Sequence, residues 1–167
     1  MAELKPPDTF HLSAAIGWMQ LGNRLEAQAD WNRLSPPARQ HPDALEVQWA
    51  IHADAHDWAA GLATARALLQ VAPDRASGWL HQAYALRRVA PGGLQAAWDA
   101  LLPAQAKFPD EPTIPYNLAC YAWQMGRLAD AREWLSRARK IGGPETIKQM
   151  ALNDPDLEPL WEEIRKW

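Results

Sequence analysis

Apolar residues recur three and four positions apart along most of the chain, and outside the turns no stretch alternates with period two. This spacing gives one apolar face per helix and predicts an all-α protein. AIGWMQLGNRLEAQADWNRL, AIHADAHDWAAGLATARALL and YNLACYAWQMGRLADAREWLSRA each read as helix, short turn, helix. RASGWLHQAYALRRVAPGGLQAAWDALLPA has the same form with two extra residues at its turn.

These segments repeat. Gly22, His56, Gly92 and Gly126 occupy the four turns at separations of 34, 36 and 34 residues, and the small residues Ala27, Gly61, Ala97 and Ala131 recur with the same three separations. Two markers sharing one period point to stacked units, each burying an apolar face that it cannot bury alone. Trp31, Leu101 and Leu135, equivalent to Ala65 in the second unit, are expected to fill the space between hairpins. The expected hairpins span about 8–41, 42–74, 75–110 and 111–143, with a closing segment at 144–167, all in one domain.

Hairpins of this period, with small residues at fixed places, resemble tetratricopeptide repeats of bacterial type. In the fourth unit Asn117, Leu118, Gly126, Ala131 and Ala138 fall on the family pattern, as do Trp79, Pro109 and Pro73 earlier. The resemblance covers about residues 8–143 and implies a right-handed α-solenoid of about four hairpins. Its residues are packing residues, so they specify a fold and leave the partner open.

Three departures predict local irregularity. Trp49 stands where the other units have Ala15, Ala83 and Ala119. SPPARQHPD lengthens the first junction, which with Trp49 predicts a distorted second unit. Pro103 falls inside the second helix of the third unit, where a missing amide hydrogen should break the helix.

After Ile141 the pattern changes to GGPETIKQMALNDPDLEPLWEEIRKW, with Gly142 and Gly143 ending one helix and Pro144 near the start of the next. Ile147, Met150, Leu157, Leu160, Trp161 and Ile164 are spaced to cover the last apolar face of the array, with Glu162, Glu163, Arg165 and Lys166 facing water. A partner-recognition helix is the competing reading of this tail.

Composition narrows the function classes. Seventeen Lys and Arg against 20 Asp and Glu leave a formal charge of -3, with no basic excess to neutralise a phosphate backbone, so nucleic acid is not expected. No apolar run approaches the ~18 residues of a membrane span. The single Cys120 and a start, MAELKPPDTF, without a charged and apolar leader pattern predict a soluble chain in a reducing cytoplasm. Ten tryptophans against two phenylalanines suit alanine-rich helices whose gaps are filled by large flat side chains.

Signs of chemistry are sparse. IHADAHDW carries His52 and His56 four apart among aspartates, the spacing of a metal pair. The repeat, however, puts His56 in a turn slot and Asp57 at the start of the next helix, and no HExxH or CxxC accompanies them. Pro91 to Gly93 is a turn without the GxxxxGK of a phosphate loop, and Cys120 has no adjacent histidine. No metal, cofactor or catalytic group is expected, and a metal-dependent enzyme is the most distant alternative.

Binding is the expectation that remains. In the family that this chain resembles, one face of each first helix lines a concave groove. Here that face carries Thr9, Leu12, Ile16 and Met19, then Glu46 and Ala50, then Leu80, Tyr84, Arg87 and Arg88, then Tyr116, Cys120 and Trp123. Relatives that grip chaperone C-termini use a lysine and asparagine clamp, whose places read Leu12, Ile16 and Glu46 here. Tyr84, Tyr116 and Trp123 offer flat anchors and Arg87 and Arg88 partners for a carboxylate, although packing between hairpins would also account for the aromatics. The expected function is a scaffold or adaptor holding a peptide, or meeting an acidic filament surface as a kinesin-light-chain-like adaptor would. A small secretion or assembly chaperone is the alternative, and the sequence leaves the oligomeric state open.

Overall fold

A computed structural model describes residues 3–167, and the described residues form helices joined by turns, with no strand among them. They gather into two compact units, one ending at Val89 and the other running from Ala90 to Trp167.

The first unit holds α1 (Asp8–Gln20), α2 (Arg24–Trp31), α3 (Pro42–Asp54), α4 (Trp58–Val71) and α5 (Ala76–Leu86). Side-chain caps set several of these boundaries. Asn23 accepts a hydrogen bond from the Glu26 amide to start α2, and Asp57 accepts one from the Ala60 amide to start α4. Pro42 opens α3 at a position where its missing N–H costs nothing. The lengthened junction before it folds into a single 3-10 turn, Ala38–Gln40.

Between α1 and α2, Gly22 has φ 71°, and between α3 and α4, His56 has φ 54°. The histidine therefore adopts the left-handed conformation that glycine supplies in the first turn, at a cost of about 1 kcal/mol. The core of the first hairpin joins Leu12, Ala15, Ala27 and Leu34 to Ala44, Val47 and Ile51 of α3. Inside it Asp30 is buried but paired: Trp18 Nε1 donates to it at 2.9 Å and Arg33 Nη1 at 2.8 Å.

The second unit holds α6 (Leu94–Leu101), α7 (Ala104–Lys107), α8 (Thr113–Gln124), α9 (Leu128–Gly142), α10 (Pro144–Leu152) and α11 (Trp161–Ile164), with a 3-10 segment, Pro155–Leu160, before α11. The expected break at Pro103 is present, since α6 ends at Leu101 and α7 restarts behind the proline. The third turn, lengthened by two residues, holds Gly92 as expected and has its positive φ, 99°, at Gly93. The turn between α8 and α9 returns to the pattern, with Gly126 at φ 76°.

The periodic small residues sit where close helix approach requires them. Ala27, Ala97 and Ala131 are fully buried, Gly61 is buried, and Ala65, Leu101 and Leu135 fill the equivalent inner sites. The closing segment behaves as a cap on the second unit. Ile147, Ala151, Leu157, Leu160 and Ile164 are buried, whereas Met150 remains exposed. Trp161 Nε1 donates to the Ala151 carbonyl at 2.8 Å, and Arg132 of α9 grips Glu163 through bonds of 3.1–3.3 Å. No described helix is long and apolar enough to cross a membrane.

Candidate functional site

Along α3, side chains three residues apart meet the N-cap of α5 and then α5 itself in succession. Asp43 pairs with Arg75 at 2.6 Å, Glu46 accepts from Ser77 and lies 2.7 Å from His81 Nε2, and Trp49 stacks on the His81 ring at 3.7 Å with planes 8° apart. The carboxylate of Glu46 thus bridges Ser77 and His81. A hydrolytic arrangement would put the imidazole between serine and acid, so this cluster orients a ring and does not activate a nucleophile. Burial opposes the charge on Glu46, but hydrogen bonds from His81 and Ser77 prevail and hold its carboxyl below the usual range.

The held His81 ring places Trp49, whose other neighbour is Tyr84, edge-on at 6.0 Å. Tyr84 in turn meets Trp58 at 5.6 Å. The guanidinium of Arg88 lies 3.6 Å from the centre of the Tyr84 ring and 4.9 Å from that of Trp58, and its Nη1 donates to the Tyr84 carbonyl at 2.9 Å. An arginine stacked in this way gains a cation–π attraction of about 0.5–2 kcal/mol and loses most of its rotamer freedom before anything binds. Trp49, Ala53, His56, Trp58, Tyr84 and Arg88 together line an open cavity of about 610 Å³. A neighbouring depression of about 230 Å³, almost wholly apolar, is lined by Ile16, Met19, Gln20, Glu46, Val47 and Ala50.

The residues expected along the groove divide into several groups. Ile16, Met19 and Glu46 share the apolar depression, and Tyr84 and Arg88 share the aromatic cavity. Leu12 is core, packed with Ala15 and Ala27, and Leu80 and Arg87 are half-buried. Tyr116 and Cys120 on α8 are buried beneath the closing segment: the Tyr116 hydroxyl donates to Asp154 at 2.9 Å, and the Cys120 sulfur lies 3.5 Å from the same carboxylate oxygen. Burial first, then the neighbouring Cys120 and Asp154, raise the Tyr116 phenol, which stays neutral. Trp123, on the same helix, is half-buried.

The IHADAHDW pair is separated by function as well as by the turn. His52 on α3 lies 2.9 Å from the Gln48 amide, and burial lowers its pKa. His56 is exposed in the turn with its ring edge toward Trp58 at 5.6 Å. Trp49, Trp58, His56 and His81 were absent from the groove expected from sequence. Trp49 carried the usable signal, a large ring in a slot otherwise held by alanine; His81 and Trp58 carried none.

A further cavity of about 560 Å³ lies beside Asp8, Ser35 and His41. Three of its polar side chains, Asp8, Ser35 and His41, are engaged within the chain. Asp8 accepts from the Ser35 amide and hydroxyl, both at 2.7 Å, and His41 Nδ1 accepts from the Asp43 amide at 3.2 Å.

No family model and no curated protein matches the sequence. Solved structures do match. A thermophilic TPR protein from Thermus thermophilus is 16% identical with a TM-score of 0.72, covering 96% of this chain and 100% of that one. A chain of the APC/C hetero-tetramer Cut9-Hcn1 is 17% identical with a TM-score of 0.67, covering 92% of this chain and 29% of that one. Together with the described helices, these likenesses give the chain the helical-repeat fold of the tetratricopeptide-repeat proteins.

Proposed function

We propose that this protein is a non-catalytic adaptor that holds a segment of another protein against the first-helix face of its first unit. The observation that carries the reading is the Trp49, Trp58, Tyr84 and Arg88 cavity beside the apolar depression of Ile16, Met19 and Ala50. Rigid aromatic rings and an arginine held in place are the residue types that dominate the energetics of protein interfaces. Both lie on helices fixed by packing, so binding orders few protein side chains and loses little entropy. A kinesin-light-chain-like filament adaptor is one form of this activity, with basic residues meeting an acidic surface. A secretion or assembly chaperone would use the same face for a transient client.

The reading is tested by photo-crosslinking in cells of the source organism. A photoreactive residue replacing Ala53, in the cavity, should trap a discrete partner protein, whereas one replacing the exposed Arg66 on α4 should not. Trapping through Arg66 and not through Ala53 would assign binding to the second helices.

A further inference from the structure

We infer that the outer side of α1 is a docking surface for a second copy of this chain, with the two α1 helices crossing antiparallel about a two-fold axis. The inference goes beyond the adaptor reading and uses different side chains.

Successive residues of a helix are about 100° apart around its axis. Phe10, Ala14 and Gly17 therefore share one side of α1, opposite Leu12, Ala15 and Met19, which face the core. Leu21, which caps the helix, continues that outer side. Phe10 is 67% exposed, Leu21 76%, and Leu25 near the start of α2 71%. The described residues before α1 turn elsewhere: Leu4 packs against the core, and Lys5 lines the cavity beside Ser35 and His41. An outer hairpin face is kept soluble by polar side chains. In the second unit the closing segment supplies them, burying Leu157 and Ile164 and leaving Glu162 and Arg165 exposed. The outer side of α1 presents apolar groups instead.

The spacing along this side says what covers it. Phe10 and Leu21 lie equally far from the point midway between Ala15 and Ile16, and so do Ala14 and Gly17. A two-fold axis through that point sets Phe10 of each copy against Leu21 of the other, and Ala14 against Gly17, as a self-complementary contact requires. Crossing helices are closest at their centre and diverge toward their ends. Small residues stand at this centre, where a Cβ on Gly17 would meet nothing within 4 Å, and large ones stand at the ends.

Charge does not oppose the contact. The ionisable groups of α1 are Asp8, held by Ser35, and His11, 3.7 Å from Asp30, and the formal charge of the chain is only -3. Head-to-tail stacking on the fourth hairpin would need the face that the closing segment already covers. The contact is one helix pair about 20 Å long, so association is reversible and depends on concentration. Ile16 and Met19 point away from it, so a dimer leaves the apolar depression open and carries two of them, which favours partners with two matching segments.

The test is sedimentation velocity on the full chain over a concentration series reaching the millimolar range, with circular dichroism to verify that every variant is folded. An equilibrium between monomer and dimer is expected. Phe10→Glu and Leu21→Lys, both at exposed positions, should each raise the dissociation constant on the order of a hundredfold, since a symmetric contact carries each change twice. An equimolar mixture of these two variants should dimerise again, because one end of the mixed pair joins opposite charges and the other keeps the native contact of Phe10 with Leu21. Phe10→Lys mixed with Leu21→Lys should stay monomeric.

A parent chain that is monomeric throughout the series would overturn the inference. So would a dimer indifferent to both substitutions, or a mixture of Phe10→Glu with Leu21→Lys that stays monomeric. The adaptor reading stands or falls separately, by the crosslinking at Ala53.

Discussion

Gly142 is the last residue of α9, where the helix meets the start of α8 and the closing segment. A Cβ built there would lie 2.8 Å from Pro112 Cβ, 3.0 Å from Ile147 Cδ1 and 3.2 Å from Pro112 Cγ. Carbon atoms pack comfortably at about 3.5–4.0 Å, so Gly142→Ala forces a displacement of more than half an ångström. The Ile147 methyl can rotate away, but the Pro112 ring is covalently tied to the backbone that caps α8. Overpacking of this kind costs about 1–3 kcal/mol. The helix-propensity gain of replacing glycine, at most ~1 kcal/mol inside a helix, is smaller at a terminal position. The net expectation is a loss of about 1–2 kcal/mol, or a Tm lower by roughly 3–6 °C for a chain of this size. Gly17 is the matched control: it lies inside α1, and a Cβ added there would meet nothing within 4 Å, so Gly17→Ala should stabilise by about 0.5–1 kcal/mol. Urea unfolding followed by circular dichroism measures both. If Gly142→Ala matches the parent while Gly17→Ala gains stability, Pro112 yields freely and the contact is not rigid.

Other expectations follow from features at the site and the cap. His56→Gly should raise stability by up to about 1 kcal/mol, because glycine adopts φ 54° without a Cβ clash; a loss of stability in thermal melts would mean that the contact with Trp58 outweighs the backbone cost. Removing residues 153–167 should uncover Cys120, which is 2% exposed, so that a thiol reagent modifies it far faster than in the full chain; an unchanged rate would show that the tail does not shield α8. Acid should act twice on stability. The folded-state pKa of His52 is lowered, so the folded form resists protonation and stability falls as the pH drops below about 6.5. That of Glu46 is also lowered, so its contribution is complete above about 4.5 and is lost as the pH falls below that value. Urea midpoints across this range should show the first loss removed in His52→Gln and the second in Glu46→Gln, and identical pH profiles in variant and parent would refute the assignment.

How much of this was readable in the sequence depended on whether a feature repeats. The slots of Ala27, Gly61, Ala97 and Ala131 were legible because close helix approach limits side-chain size wherever it occurs, and all four are buried. The turn positions of Gly22, His56 and Gly126 were legible for the same reason, and the break at Pro103 because a missing amide hydrogen acts locally. Gly92 lies in its turn as expected, but which residue there takes a positive φ, Gly93, was not legible, since two inserted residues can be absorbed on either side of a turn. Burial of Tyr116 and Cys120 was hidden because Asp154, which meets them, belongs to a tail with no period to set its register. The aromatic cavity was half legible: Trp49 stood out against alanine, but the plane of His81 is set by Glu46 and Ser77 through side-chain geometry that no spacing encodes.

Trp49 stacked on His81 has a consequence for how the chain assembles. In an array of near-identical hairpins every interface resembles every other, so during folding a hairpin can pair with the wrong neighbour, or with the same hairpin of another copy. A tryptophan in a slot sized for alanine gives one interface a shape that Ala15 and Ala119 cannot reproduce, and the ring of His81, locked by Glu46, is its complement. The large ring favours one stacking order over the others, so the residue that walls the aromatic cavity also marks which helix follows the second hairpin.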